Sequence, residues 1–570
     1  MLMKKTLSLV LSAVMMTALL SACGAENASS TAEKETAAAS AAETKAAAPA
    51  TEDEIIDPSN PPARVDLRNF NGKNYVTPVK RQIYGDCWTF SLAGSAEIAY
   101  LVANDLGVPA GEENKNVNFS EKYIAWYLYH GITKDDVAKG KVRASQVGEG
   151  FDCTGPDADN PNAVFFFGGE FIHNANLFGS GFGPVDESVT VNDDKPYQYT
   201  SVASLNWTLP VNAAYRNAPA AAFLRESRYL QSPASRDKDG KYAFDEEALN
   251  TIKAELCMGH GVSLAYNASL SAVNVKNLSA YYGGDEPADH AVTVVGYDDN
   301  FPKENFSKGT EDASPEGNGA LIIKNSWGVS GKDGVDDGYV YLSYYDRSIV
   351  SVLSFVFDRT DTLKSTAFNY DQYDLLMTEW YATADYEAET KMANVFDAEE
   401  DESLYQISYI TCFPDANVSY AIYKGVEDGN PSSGTLLESG TNSHSFAGSH
   451  KIDLKSSYPL KKGEKYAVVL TVTRTQGDKG TVYTELFPYT TEICGTKVQG
   501  IVNKGESYLY ADGKWSDMAD SKDSLIERAF KQGVDEFGDR KTMTEIKRES
   551  KDTFVIDNYP IKAILIQDGK

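Results

Sequence analysis

RQIYGDCWTFS, residues 81–91, sets a cysteine directly before a tryptophan at the point where an apolar, helix-periodic run begins. Trp88, Leu92, Ala96, Ala99 and Val102 recur at helical spacing, and Gly107 and Pro109 close the run. Gly94 inside it leaves room for close packing. A cysteine at a helix start is either a buried thiol or a nucleophile. The macrodipole at that end favours the thiolate, so the sequence predicts a lowered pKa for Cys87. Cys257 stands near the end of a second helical run and Cys412 in a strand-like run, so placement singles out Cys87.

Downstream, DEEALNTIKAELCMG (245–259) predicts a helix closed by Gly259. Then come four β-rich runs: GVSLAY, HAVTVVGYDD, GALIIKNSWG and DGYVYLSYYD. Helix first and sheet afterwards predicts an α+β unit with segregated halves. His290 opens one of these strands and Asn325 ends another, with Trp327 two residues on. A neutral amide beside an imidazole orients it through one hydrogen bond without competing as a base, and an indole shields that bond from water.

The three motifs QxxxxCWxFS, DHAVxxVGY and KNSWG, in that order, are similar to those of the papain-like cysteine peptidases, over roughly residues 62–358. The resemblance implies a two-lobed fold, with Cys87 on a helical half and His290 and Asn325 on a β half. It assigns Cys87 as nucleophile, His290 as ion-pair partner and general acid, and Asn325 as the group that orients the imidazole. Gln82 resembles the family's oxyanion-hole glutamine, although it stands five residues before the cysteine where the family has six. Gly168 and Gly169 resemble the glycine pair whose backbone pairs with an extended substrate, a close approach that only a residue without Cβ permits. Cys87 and His290 lie further apart than in typical members, so insertions decorate the helical half. DNFPKENFSKGTEDASPEGN adds a surface loop before Asn325, and DGVDDG (333–338) reads as an acidic turn.

Beyond about residue 360 the texture changes. LYQISYITCF, VSYAIYKG and KYAVVLTVTR alternate in period two with turns such as EDGNPSSG between them, which predicts an all-β sandwich. YDQYD (370–374) and ANVFDAEEDESLYQISYIT (393–411) resemble the lectin-like domain that follows papain-like peptidases in some bacterial surface proteins. Residues 524–537 fit least well and read as helical.

The N-terminus carries a basic MLMKK and an apolar run of signal length ending in Leu20-Ser21-Ala22-Cys23. This resembles a lipobox, and the resemblance implies that Cys23 is acylated and becomes the lipid anchor. The predicted organisation is therefore a leader (1–23), a low-complexity linker (24–60), a peptidase domain (61–360) and a lectin-like β-sandwich (361–570). A net charge of −29 argues against nucleic-acid binding. The six cysteines and six histidines show no CxxC, paired Cys/His spacing or HExxH, so neither metal nor cofactor is expected.

Taken together, these readings predict a lipid-anchored cysteine endopeptidase on the outer face of the bacterial membrane. It acts on protein or peptide substrates, and its C-terminal domain takes a glycan or surface ligand. The alternative is a surface adhesin on an inactive peptidase scaffold, and an amidase or transferase using the same triad is a third reading.

Overall fold

A computed structural model describes residues 56–137, 142–152, 163–166, 168–169, 171–190, 218–236, 241–306, 314–329, 337–365, 368–373, 380–475, 480–490, 497–521 and 555–567. The leader with Cys23, most of the linker, Cys153, Cys494, residues 333–336 of the acidic turn and the helical reading at 524–537 lie outside them. No helix among the described residues is long and apolar enough to cross a membrane.

The helix predicted after the CW pair is α1 (Cys87–Ala103). Its apolar positions do not form a single stripe, because every residue from Trp88 to Ala99 is buried. A helix covered on all sides lies inside its unit and not on its surface. One side packs with α2 (Glu121–Leu128), whose N-cap Ser120 accepts from the Tyr123 N–H, and with the aromatic residues Phe119, Tyr127, Phe178 and Phe182. The other side meets a sheet, and here the contact is polar and close. Ser91 Oγ donates to Val292 O (2.6 Å), Thr293 Oγ1 donates to Ser91 O (2.9 Å) and Ser95 Oγ lies 2.8 Å from Ser263 Oγ. Gly94 is required here, since a Cβ would stand 2.5 Å from Thr293 Oγ1.

The remaining elements run, in chain order, β1 (Leu224–Leu230), α3 (Glu246–Cys257), β2 (Val262–Tyr266), β3 (His290–Asp298), β4 (Ala320–Lys324), β5 (Tyr339–Ser343) and β6 (Val350–Phe357). α3 starts one residue later than the sequence suggests, because the Asp245 side chain caps it by accepting from the Ala248 N–H (3.0 Å). The C-terminal half adds β7 (Phe368–Asp371), β8 (Glu402–Thr411), β9 (Ala416–Lys424), β10 (Thr435–His444), β11 (Gly448–Leu460), β12 (Lys465–Thr475) and β13 (Ile561–Gln567).

One sheet crosses the whole molecule in the order β7-β13-β8-β11-β1-β6-β2-β3-β4-β5. A second sheet, with β9, β10 and β12, faces its C-terminal part. Leu404, Ile407, Leu454 and Ile561 on one side meet Phe396, Val418, Tyr466 and Leu470 on the other, which is the core of a two-sheet sandwich. EDGNPSSG is the turn of the β9–β10 hairpin. Every residue of β8 is buried, so its alternation does not separate core from solvent.

The two halves of the long sheet are joined narrowly. β1 and β11 share a single registered pair, His450 opposite Glu226, and Tyr229 bridges Ala447 nearby.

Candidate active site

Antiparallel pairing of β3 with β4 sets Thr293 opposite Lys324. The start of β3 therefore lies beside the residues that follow β4. His290 is the first residue of β3 and Asn325 the first after β4. Both are buried, and His290 Nε2 lies 2.8 Å from Asn325 Oδ1. The same oxygen accepts from the Ser326 backbone N–H (2.7 Å). An atom that accepts from an amide N–H is the amide's oxygen, so His290 must donate from Nε2. The lone pair is thereby left on Nδ1, which is the tautomer a general base needs. Trp327 stacks on the imidazole, with ring centroids 4.7 Å apart and planes 26° from parallel. The shielding expected of this indole is thus a face-on cover.

Cys87 reaches the same place from the opposite side. It is the first residue of α1, carries a free thiol and is partly buried. The thiol faces the backbone N–H of Ala291, the residue after His290, and that of Trp88. These donors favour the thiolate. Burial outweighs them, and the charges of Asp86 and Asp289 add to it, so the thiol is pushed up to about 12. Desolvation of the thiolate thus opposes the lowering expected from the helix start. His290 moves the other way, lowered by burial and partly restored by the Asn325 hydrogen bond and the Asp289 charge. Taken one group at a time, the site holds a neutral thiol and a neutral imidazole.

The loop bearing Gln82 is zipped to the turn bearing Asn325. Gln82 N–H donates to Ser326 O (2.7 Å), Gly328 N–H donates to Lys80 O (3.1 Å), and Arg81 bridges Trp327. The Gln82 side chain accepts from Ser326 Oγ (2.5 Å) and donates one amide hydrogen to Tyr84 O (2.9 Å). Gln82 is thus held against the turn that follows Asn325.

Gly168 and Gly169 also come here, for a reason the sequence did not suggest. Gly168 takes a left-handed φ of +76°, and its carbonyl accepts from the Tyr129 hydroxyl. A Cβ on Gly169 would stand 2.6 Å from the Trp88 ring. Gly169 is small because it lies on Trp88, the residue that follows Cys87, and Gly168 because its φ is left-handed.

Sequence reasoning missed two features. Asp86, just before Cys87, is fully buried, and neither carboxylate oxygen has a hydrogen-bond partner. Burial, with Glu121 nearby, holds its carboxyl well above the ordinary range. Behind α1, Lys80 Nζ contacts Glu97 (3.0 Å) and Glu121 (2.6 Å), and Lys324 Nζ donates to Thr77 Oγ1 (2.8 Å), which donates to Glu97 (2.5 Å). Burial pushes Lys324 down to about 8. A glutamate inside SLAGSAEIAYL and a lysine ending ALIIK were the available signals for this network.

Residues 370–530 match the family described as Lectin like domain. The chain is 26% identical over 299 residues to Cysteine proteinase 2 of Dictyostelium discoideum, a match covering 47% of this chain and 60% of that relative's length. It also superposes on the clostridial cysteine protease Cwp84 after propeptide cleavage, with a TM-score of 0.59 and 21% identity, covering 87% of this chain and 97% of that one. A second structure, of the cysteine protease and lectin-like domains of Cwp84, a surface layer associated protein of Clostridium difficile, gives a TM-score of 0.59 and 21% identity. It covers 89% of this chain and 90% of that one. The chain thus has the fold of a cysteine protease followed by a lectin-like region.

Proposed function

We propose that the chain is a papain-like cysteine peptidase that cleaves peptide bonds through Cys87, His290 and Asn325. One observation carries the reading: Asn325 Oδ1 accepts from both Ser326 N–H and His290 Nε2–H, so the imidazole keeps its lone pair on Nδ1, the atom that takes the Cys87 proton in this reading. A neutral thiol and imidazole then need only one transfer. The thiol proton moves to Nδ1 as the sulfur forms a bond to the scissile carbonyl carbon. The resulting oxyanion is held by the Cys87 backbone N–H and the Gln82 amide. Collapse breaks the C–N bond, and the amine leaves with the proton from His290. Water then hydrolyses the thioester and the thiol is restored.

In this reading the helical part bearing Cys87 and the sheet part bearing His290 are the two lobes of the peptidase domain (61–360). Gly168 and Gly169 flank the substrate, which is a protein or peptide. The region from 361 to 570 presents a lectin-like surface for a glycan or other surface ligand. Residues 1–23 are a lipoprotein leader whose Cys23 anchors the enzyme outside the membrane.

The test is to label the purified protein with an epoxysuccinyl cysteine-peptidase inhibitor and locate the adduct by mass spectrometry, with Cys87→Ala and His290→Ala beside it. Modification at Cys87 that depends on His290 is expected. A folded protein left unlabelled under reducing conditions would overturn the reading.

A further inference from the structure

A second cluster of chemistry-bearing side chains lies far from Cys87 in sequence, at the narrow seam between the two halves. Glu226 comes from β1, His444 ends β10, and His450 sits on β11 directly opposite Glu226. One potential ligand atom from each of the three lies within 4.8 Å of the others. The two imidazoles stack with centroids 3.7 Å apart and planes 21° from parallel.

Hydroxyls hold both rings. His450 Nε2 lies 2.9 Å from Thr411 Oγ1, and His444 Nε2 lies 2.8 Å from the Tyr409 hydroxyl. Both Nε2 atoms are thus engaged, which leaves the Nδ1 atoms for a ligand. His450 Nδ1 lies 3.2 Å from Glu226 Oε1, a hydrogen bond that a metal held by both would replace. A divalent metal serves both rings and the carboxylate together.

We propose that Glu226, His444 and His450 form a transition-metal site of the zinc class that clamps the lectin-like region to the rest of the chain. Two imidazoles and one carboxylate are a donor set suited to zinc, with a fourth position left for water. Tetrahedral zinc with bonds near 2.1 Å sets its ligand atoms about 3.4 Å apart. The Glu226–His450 pair already lies near this spacing, at 3.2 Å. The supporting groups are also in place. Arg228 Nε holds the other Glu226 oxygen (2.7 Å), leaving Oε1 for the metal, while Thr411 and Tyr409 hold the two Nε2 atoms. The backbone is fixed by Ser449 N–H donating to Ser227 Oγ (2.9 Å).

The test uses the chelator-treated full chain, in a Cys87→Ser background so that the nucleophile's thiol does not bind the probe. Equilibrium dialysis with Zn²⁺ is expected to show one ion per chain, and Co²⁺ is expected to give the visible bands of a four-coordinate site. His444→Gln and Glu226→Gln should each weaken binding by roughly 100-fold. Metal should raise the melting temperature of the parent and not of these variants. The partly exposed His444 carries the test if Glu226→Gln does not fold. Absence of stoichiometric uptake, or uptake untouched by His444→Gln, would overturn the site. So would equal melting with and without metal.

Discussion

Two buried imidazole centres in one continuous sheet are built in opposite ways. His290 has a neutral partner, the Asn325 amide, and an indole over its face. His450 has a carboxylate, Glu226, and a second imidazole over its face. A neutral partner orients the ring without attracting charge, so a proton can arrive and leave within a catalytic cycle. A carboxylate with a second imidazole favours a cation that stays. Burial is common to both, so the partner is what separates the two centres.

The sharpest break in this comparison comes at His290. His290→Ala should lower kcat/KM on a peptide substrate by on the order of 10⁴-fold, since it removes the proton carrier. Iodoacetamide alkylation of Cys87 should still be rising at alkaline pH in that variant. The thiol would then titrate in its surroundings alone, where it is pushed up to about 12. Fast alkylation at neutral pH without His290 would show that the helix start suffices.

Asn325→Ala should cost on the order of 10–100-fold in kcat, because two buried donors lose their acceptor. Asn325→Asp sharpens the comparison by giving His290 the kind of partner His450 has. Its carboxylate should raise the His290 pKa and move the pH–rate profile to higher pH, and an unmoved profile would deny the partner its role.

Smaller effects concern the frame. Gly169→Ala should destabilise the protein by roughly 1–3 kcal/mol in denaturant melts, as its Cβ has no room beside Trp88. Asp86→Asn should stabilise it at pH 8, because the amide carries no charge to desolvate. The sign follows from linkage. A carboxyl whose folded pKa is raised binds its proton more tightly in the native state, so native stability falls as pH rises from the unfolded value toward the folded one. The gain should therefore shrink on acidification in thermal melts of the two proteins.

Much of this was legible because it is local. The CW pair, the period of α1, the strand runs through HAVTVVGYDD and ALIIK, and the alternation beyond residue 360 are patterns of neighbours, and the elements formed where they predicted. Other features depend on what lands opposite. That the apolar stripe of α1 would be covered on every side, that Gly169 answers to Trp88, and that Asp86 sits unpaired against Cys87 are matters of packing. Desolvation opposes the helix start at the thiol for the same reason, since it is set by the whole surrounding and the dipole by one end of one helix.

His444 and His450 bear no paired spacing with a cysteine or another histidine, and Glu226 lies more than two hundred residues upstream, so no motif announced their cluster. By itself the sequence determined which side chains are chemically able and which elements carry them, because periodicity and residue type act over a few positions. Only the tertiary structure decided which of them meet and in what protonation state. Registers across a sheet and removal from water are properties of contacts between distant segments.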